Sequence, residues 1–161
     1  MHDAVDAILA QWRCERPDLD LSPMGVLARL GRVTRLAETA VEEVFSRHGL
    51  RPGEFDVLAA LRRSGTPFTM IPSELSAVLM MSRAGMTNRL DHLERAGLIE
   101  RRLDPADRRS FQIVLTDKGR KVIDETLTDH AAVLARLGAA LGPQETATLD
   151  RILRGLLDSW G

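Results

Sequence analysis

The sequence predicts a mainly α (α+β) chain, and three observations predict it. Apolar residues recur at three- and four-residue spacing through most of the 161 positions, two such segments between residues 73 and 96 are joined by a three-residue turn, and the two segments that follow alternate like strands around a turn-rich heptapeptide. With 44% apolar and 28% charged residues, the composition is that of a globular protein able to form one domain with helical extensions. No apolar run reaches the roughly 18 residues of a membrane span, and the N-terminus lacks a basic-then-apolar leader, so a cytoplasmic protein without a membrane partner is expected. The single cysteine, Cys14, excludes an intrachain disulfide and a zinc cluster. A net charge of -1 means that any nucleic-acid binding must come from a local patch.

Taken in order, "HDAVDAILAQWRCER" places Val5, Ile8, Leu9 and Trp12 on one face of a short helix. "RPDLDLSPM" breaks it, with Ser22 before Pro23 as the entry to the next. That helix, about Pro23 to His48, carries Leu27, Leu30, Leu36, Ala40, Val44 and Phe45 and stops at Gly49. A third runs from about Pro52 to Arg63 with Phe55, Leu58 and Leu61 inward, and "SGTPFT" closes it with turn residues. A short helix from about Ser73 to Leu79, a turn, and a helix from about Arg83 to Ala96 ended by Gly97 come next. Leu75 and Val78 on the first and Met86, Leu90 and Leu93 on the second form stripes that pack across the turn, as a helix-turn-helix requires. That packing aims Ser82, Arg83, Thr87, Asn88 and Asp91 the other way, a small polar face suited to a major groove.

"LIERRL" and "FQIVLT" read as strands around "DPADRRS", the second through alternating Phe111, Ile113 and Leu115. A helix-turn-helix followed by a hairpin is a winged helix-turn-helix. Arg108 and Arg109 then ride at the tip of the wing, where they reach a narrow minor groove, and Asp107 can orient a guanidinium by a charge-assisted hydrogen bond. Between residues 82 and 109, seven arginines oppose five carboxylates, a local +2 in a chain of -1. Long apolar-striped terminal segments, carrying among others Val122, Leu127, Leu134, Leu149, Ile152, Leu156 and Trp160, have few partners within such a lobe and suit a dimer.

At this point the chain resembles the MarR family of winged-helix regulators, through "EFDVLAALRRSG" and "MTNRLDHLERAGLIERRLDPADRRSFQIVLTDKGRK". The resemblance implies a homodimer held by N- and C-terminal helices that reads a pseudo-palindrome in double-stranded DNA, with Arg109 as the minor-groove arginine and Asp107 supporting it. It divides the chain into N-terminal helices over 1–48, a winged helix-turn-helix over 52–116 and C-terminal dimerisation helices over 117–161. The added N-terminal helix is similar to that of the urate-responsive branch. That likeness implies a small anionic effector, held by Trp12, Asp56 and Arg89, with Arg63 and Arg101 as further members. A buried Asp56 to Arg89 pair is expected to hold the recognition helix, and the effector to compete for Arg89. A planar purine, a phenolic carboxylate and a small polycarboxylate all suit such a pocket.

Other classes leave weaker marks. Cys14 lies near Arg13 and Arg16, which favours a thiolate and makes a redox-sensing regulator the alternative, although the chain has neither a resolving cysteine nor a tyrosine. A winged helix that serves only protein contacts is a further alternative, separated by the salt dependence of duplex binding. His2, His48, His92 and His130 are scattered without metal-site spacing, and no P-loop, dinucleotide fingerprint, HExxH or serine elbow is present, so neither enzyme activity nor a metal or cofactor is expected. His92 reads as a surface or phosphate-contacting residue.

Overall fold

The computed structural model describes residues 2–103 and 111–160, with Arg83 described by its backbone alone. Two compact units are present, Met1–Ala40 and Val41–Gly161. In the first, α1 (Ala4–Glu15) begins at Asp3, whose carboxylate accepts hydrogen bonds from the Val5 and Asp6 backbone N–H groups while Asp6 returns a bond to the Asp3 N–H. α2 (Ser22–Arg47) follows and runs on into the second unit. Val5 and Leu9 are buried. Leu9 lies so close over Gly25 that a Cβ there would sit 2.8 Å from its Cδ1. Arg29 ties the two helices by charge, binding Asp3 at 2.9 Å and Asp6 at 2.6 Å.

In the second unit the core gathers around α3 (Glu54–Arg63), which starts two residues later than Pro52 because Gly53, at φ 77°, is its N-cap. The predicted inward residues Phe55, Leu58 and Leu61 are buried, with Val57 and Ala60. α4 (Pro72–Val78) and α5 (Arg83–Arg95) form the helix-turn-helix, and Leu75, Met86, Leu90 and Leu93 are buried between them and α3. Val78 departs from the expectation: it is 50% exposed, and Leu79 packs on the core instead. At 100° per residue Leu79 stands about 40° from Leu75 around the helix and Val78 about 60°, so Leu79 continues the stripe better.

The sheet has three antiparallel strands in the order β1-β3-β2. β2 (Ile99–Leu103) and β3 (Phe111–Leu115) are the expected pair, with Ile99 opposite Leu115 and Leu103 opposite Phe111. β1 (Thr69–Met70) falls in and just beyond a stretch read only as turn, and it pairs with Val114 and Ile113. Because β3 is therefore central, Val114 is buried along with Ile113 and Leu115, while Phe111, beyond the reach of β1, is exposed. The simple alternation expected for this strand is lost for that reason.

α6 (Asp117–Gly138) is capped by Thr116, whose hydroxyl accepts from the Gly119 N–H at 2.9 Å. Ile123 and Thr126 are buried, whereas Leu127 and Leu134 are exposed. α7 (Pro143–Trp160) buries none of its residues, although Leu149, Ile152, Leu157 and Trp160 lie along it. No helix among the described residues is long and apolar enough to cross a membrane.

Candidate nucleic-acid interface

The presentation of α5 begins at Ser82, which serves as its N-cap and accepts a hydrogen bond from the Gly85 N–H at 3.2 Å. Burial of Met86, Leu90 and Leu93 fixes the inward face, so Thr87 and Asn88 are exposed, as the sequence predicts. The Arg83 side chain and the wing-tip residues Asp107, Arg108 and Arg109 lie outside the described residues.

Asp91, expected on the same polar face, is engaged elsewhere. Arg101, on β2, donates from Nη2 to Asp91 Oδ1 at 2.5 Å and from Nη1 to Glu94, and its backbone N–H donates to Glu94 Oε1 at 3.1 Å. Partial burial opposes the Arg101 charge, but its hydrogen bond to Asp91 and the nearby Glu94 carboxylate outweigh that cost and raise its pKa above the ordinary arginine value. The root of the wing is thereby fastened to the C-terminal half of α5. Arg101, carried over from the family as an effector residue, has its donors turned to the recognition helix.

The expected buried Asp56 to Arg89 pair is not formed. Asp56 is exposed on α3 and enters none of the ion pairs among the described residues, because the inward positions of α3 are Phe55, Val57 and Leu58 and position 56 falls between them, facing solvent. Arg89 lies instead against Met81 and over Gly53, where a Cβ would meet the guanidinium at 2.5 Å. Gly53 is thus required twice, for its left-handed backbone and for the room it leaves.

Beside Arg89 is a contact that sequence reasoning missed. Glu54 is only 2% exposed; its Oε2 accepts from the Arg51 N–H at 2.8 Å, and its Oε1 lies 2.6 Å from Nδ1 of His92 on α5. His92 is therefore not a free surface group. Arg51, Pro52, Asn88, Arg89 and His92 border a cleft of about 250 Å³ at this junction. The signal was weak, since an acid at the start of a helix ordinarily reads as a capping residue.

Of the remaining effector candidates in this unit, Arg63 is not gathered there. Arg63 lines a different cavity, of about 480 Å³, with Phe55, Ala59, Arg62 and His130 among its neighbours, and Arg62 is held by Asp124 at 2.8 Å. Trp12 and Cys14 belong to the first unit and are exposed on α1. Among the described residues no group of three or more histidines, cysteines and carboxylates is placed to hold a metal.

Comparison with known proteins adds three findings. A model of the MarR family matches residues 48–110. The transcriptional regulator PecS of Dickeya dadantii is 45% identical over 126 residues, covering 78% of this chain and 76% of that protein, and the transcriptional repressor MprA of Escherichia coli is 42% identical over 86 residues, 53% of this chain and 49% of that one. Among solved structures, a mutant of E. coli MarR complexed with operator DNA superposes with a TM-score of 0.72 at 26% identity, over 85% of this chain and 95% of that chain.

Proposed function

This chain belongs to the MarR family of transcriptional regulators, and from that premise we propose that it binds a pseudo-palindromic operator as a homodimer, acts as a repressor, and is released by a small anionic ligand. The observation that carries the DNA reading is the division of α5 into a buried apolar face and an exposed Thr87–Asn88 face beside the wing strands. Ser82, Arg83, Thr87 and Asn88 read the major groove, and Arg108 and Arg109, steadied by Asp107, enter the minor groove. The homologues are regulators of transcription, not enzymes, and the structural relative bound to operator DNA supports the same mode here.

The dimer reading is supported by α7, which carries Leu157 at 70% and Trp160 at 64% exposure with no residue buried. A symmetric partner covers such a stripe and sets two recognition helices about one DNA turn apart, roughly 34 Å.

The effector is an organic acid, urate among the candidates; of the residues the family likeness assigns to it, Arg89 borders the cleft beside Arg51 and His92, while Arg63 lines another cavity and Arg101 is committed to Asp91 and Glu94. Arg89 is the coupling residue. Its guanidinium docks the recognition helix over Gly53, and an anion that draws it away favours a displaced helix, which gives the ligand the unequal affinity for two states that any switch needs. A gel shift on the DNA upstream of its own gene, with urate and other organic acids titrated in, tests both parts. Retarded DNA that acids release supports the reading, and Arg89→Ala, whose helix has lost that docking contact, is expected to bind DNA more weakly and to show no further release by acids. Absence of a shift at low salt overturns the DNA reading, and an Arg89→Ala protein that binds DNA as tightly as the wild type, or that acids release at the same concentration, overturns the coupling.

A further inference from the structure

We propose, resting on the DNA-reading role of α5, that Glu54 and His92 form a positioning pair that fixes the rotation of the recognition helix and so aims Asn88 and Thr87 at base edges. A carboxylate as buried as Glu54 persists only where both oxygens are partnered, and here one is held by the turn before α3 and the other by His92. An Nδ1–H dipole 2.6 Å from the carboxylate attracts it where a lone pair would repel it, so the tether requires the ring hydrogen on Nδ1. The contact lies off the ring N–H direction, which makes it an electrostatic tether more than a directed hydrogen bond.

Its place on the helix gives the tether its effect. His92 follows Asn88 by four residues and stands about 40° from it around the axis. On the flanking positions, Asp91 and Glu94 are tied to Arg101 of β2, so α5 is held by polar contacts from α3 on one side and from the wing on the other. Apolar burial of Met86, Leu90 and Leu93 sets how deeply the helix lies but is non-directional. A turn of about 20° swings a side-chain end roughly 6 Å from the axis by about 2 Å, enough to lose a hydrogen bond to a base. Releasing one tether leaves the other to bias that turn.

The test uses the duplex that the wild-type protein selects from a random-sequence pool and a shuffled duplex of the same composition. His92→Leu is expected to lose about tenfold in affinity for the selected duplex, and to stay within about twofold on the shuffled one. Glu54→Gln, which keeps its bond to Arg51, is expected to show the same split, and His92→Asn, whose amide nitrogen takes the place of Nδ1, to recover the preference. In the double variant Glu54→Gln/His92→Leu the unpaired buried charge is gone, so the thermal midpoint returns toward wild type while the preference stays lost. Equal losses on both duplexes, an unchanged preference in His92→Leu, or a preference that recovers with the midpoint would each overturn the pair's role. If the wild-type protein selects no sequence, it is the DNA reading of α5 that fails.

Discussion

Gly119 bears the heaviest steric demand of any described glycine. It is the third residue of α6, and a Cβ added there would lie 1.9 Å from the carbonyl oxygen of Leu98 and 2.9 Å from Leu115 Cδ1. The Leu98 carbonyl cannot simply step aside, because it accepts from the Thr116 N–H at 3.1 Å and the Thr116 hydroxyl at 3.0 Å. Even a close C–H···O contact needs about 3.3 Å, so Gly119→Ala must push backbone apart by more than 1 Å. Such overpacking costs about 3 kcal/mol, and replacing glycine by alanine in a helix returns up to about 1 kcal/mol, leaving a net loss of about 2 kcal/mol. For a protein of this size that lowers Tm by roughly 4–8 °C, read by calorimetry at fixed protein concentration because association also raises Tm. An unchanged or higher Tm, as helix propensity alone would give, would refute the packing of α6 against the α5–β2 corner.

Two further outcomes are expected. The hydrogen bond from Arg29, with help from the neighbouring backbone N–H groups, holds the Asp3 carboxyl down at about 2, so this link between α1 and α2 is fully present above the ordinary carboxylate range and is lost only as pH falls through about 2. Arg29→Gln is expected to move the loss of α1 protection in an acid series, followed by amide exchange, upward toward pH 4. Ile152→Asp/Leu157→Asp, at positions exposed in one protomer, is expected to sediment at half the mass of the wild-type particle with its helicity retained; an unchanged mass would show that α7 is not the interface.

Much of this architecture was legible because helices announce themselves locally. Gly49 and Gly97 end their helices with positive φ, and the buried residues of α3 and α5 follow the 3.6-residue period. What was not legible depends on segments distant in sequence. β1 is two residues long, too short to show alternation, and the burial of Val114 follows from it. Glu54 and His92 are far apart in the chain, and nothing in either segment marks the other as its partner. The Asp56 to Arg89 pair failed for the converse reason: the family likeness suggested a contact that the phase of α3 turns outward, while Arg101 spent its donors on Asp91 and Glu94.

The short strand β1 has an effect out of proportion to its length. It lies just before α4, yet it pairs with the last strand of the wing, Thr69 opposite Val114 and Met70 opposite Ile113. Everything between those two strands, the helix-turn-helix and the hairpin alike, is therefore closed into one ring whose clasp is two residue pairs wide. The hairpin root cannot peel away without opening the clasp, so slow-exchanging amides in α5 and β3 belong to one cooperative opening unit rather than two. Closing so distant a pairing also puts a chain-entropy barrier on the route to the native state, which makes the clasp a late event in folding.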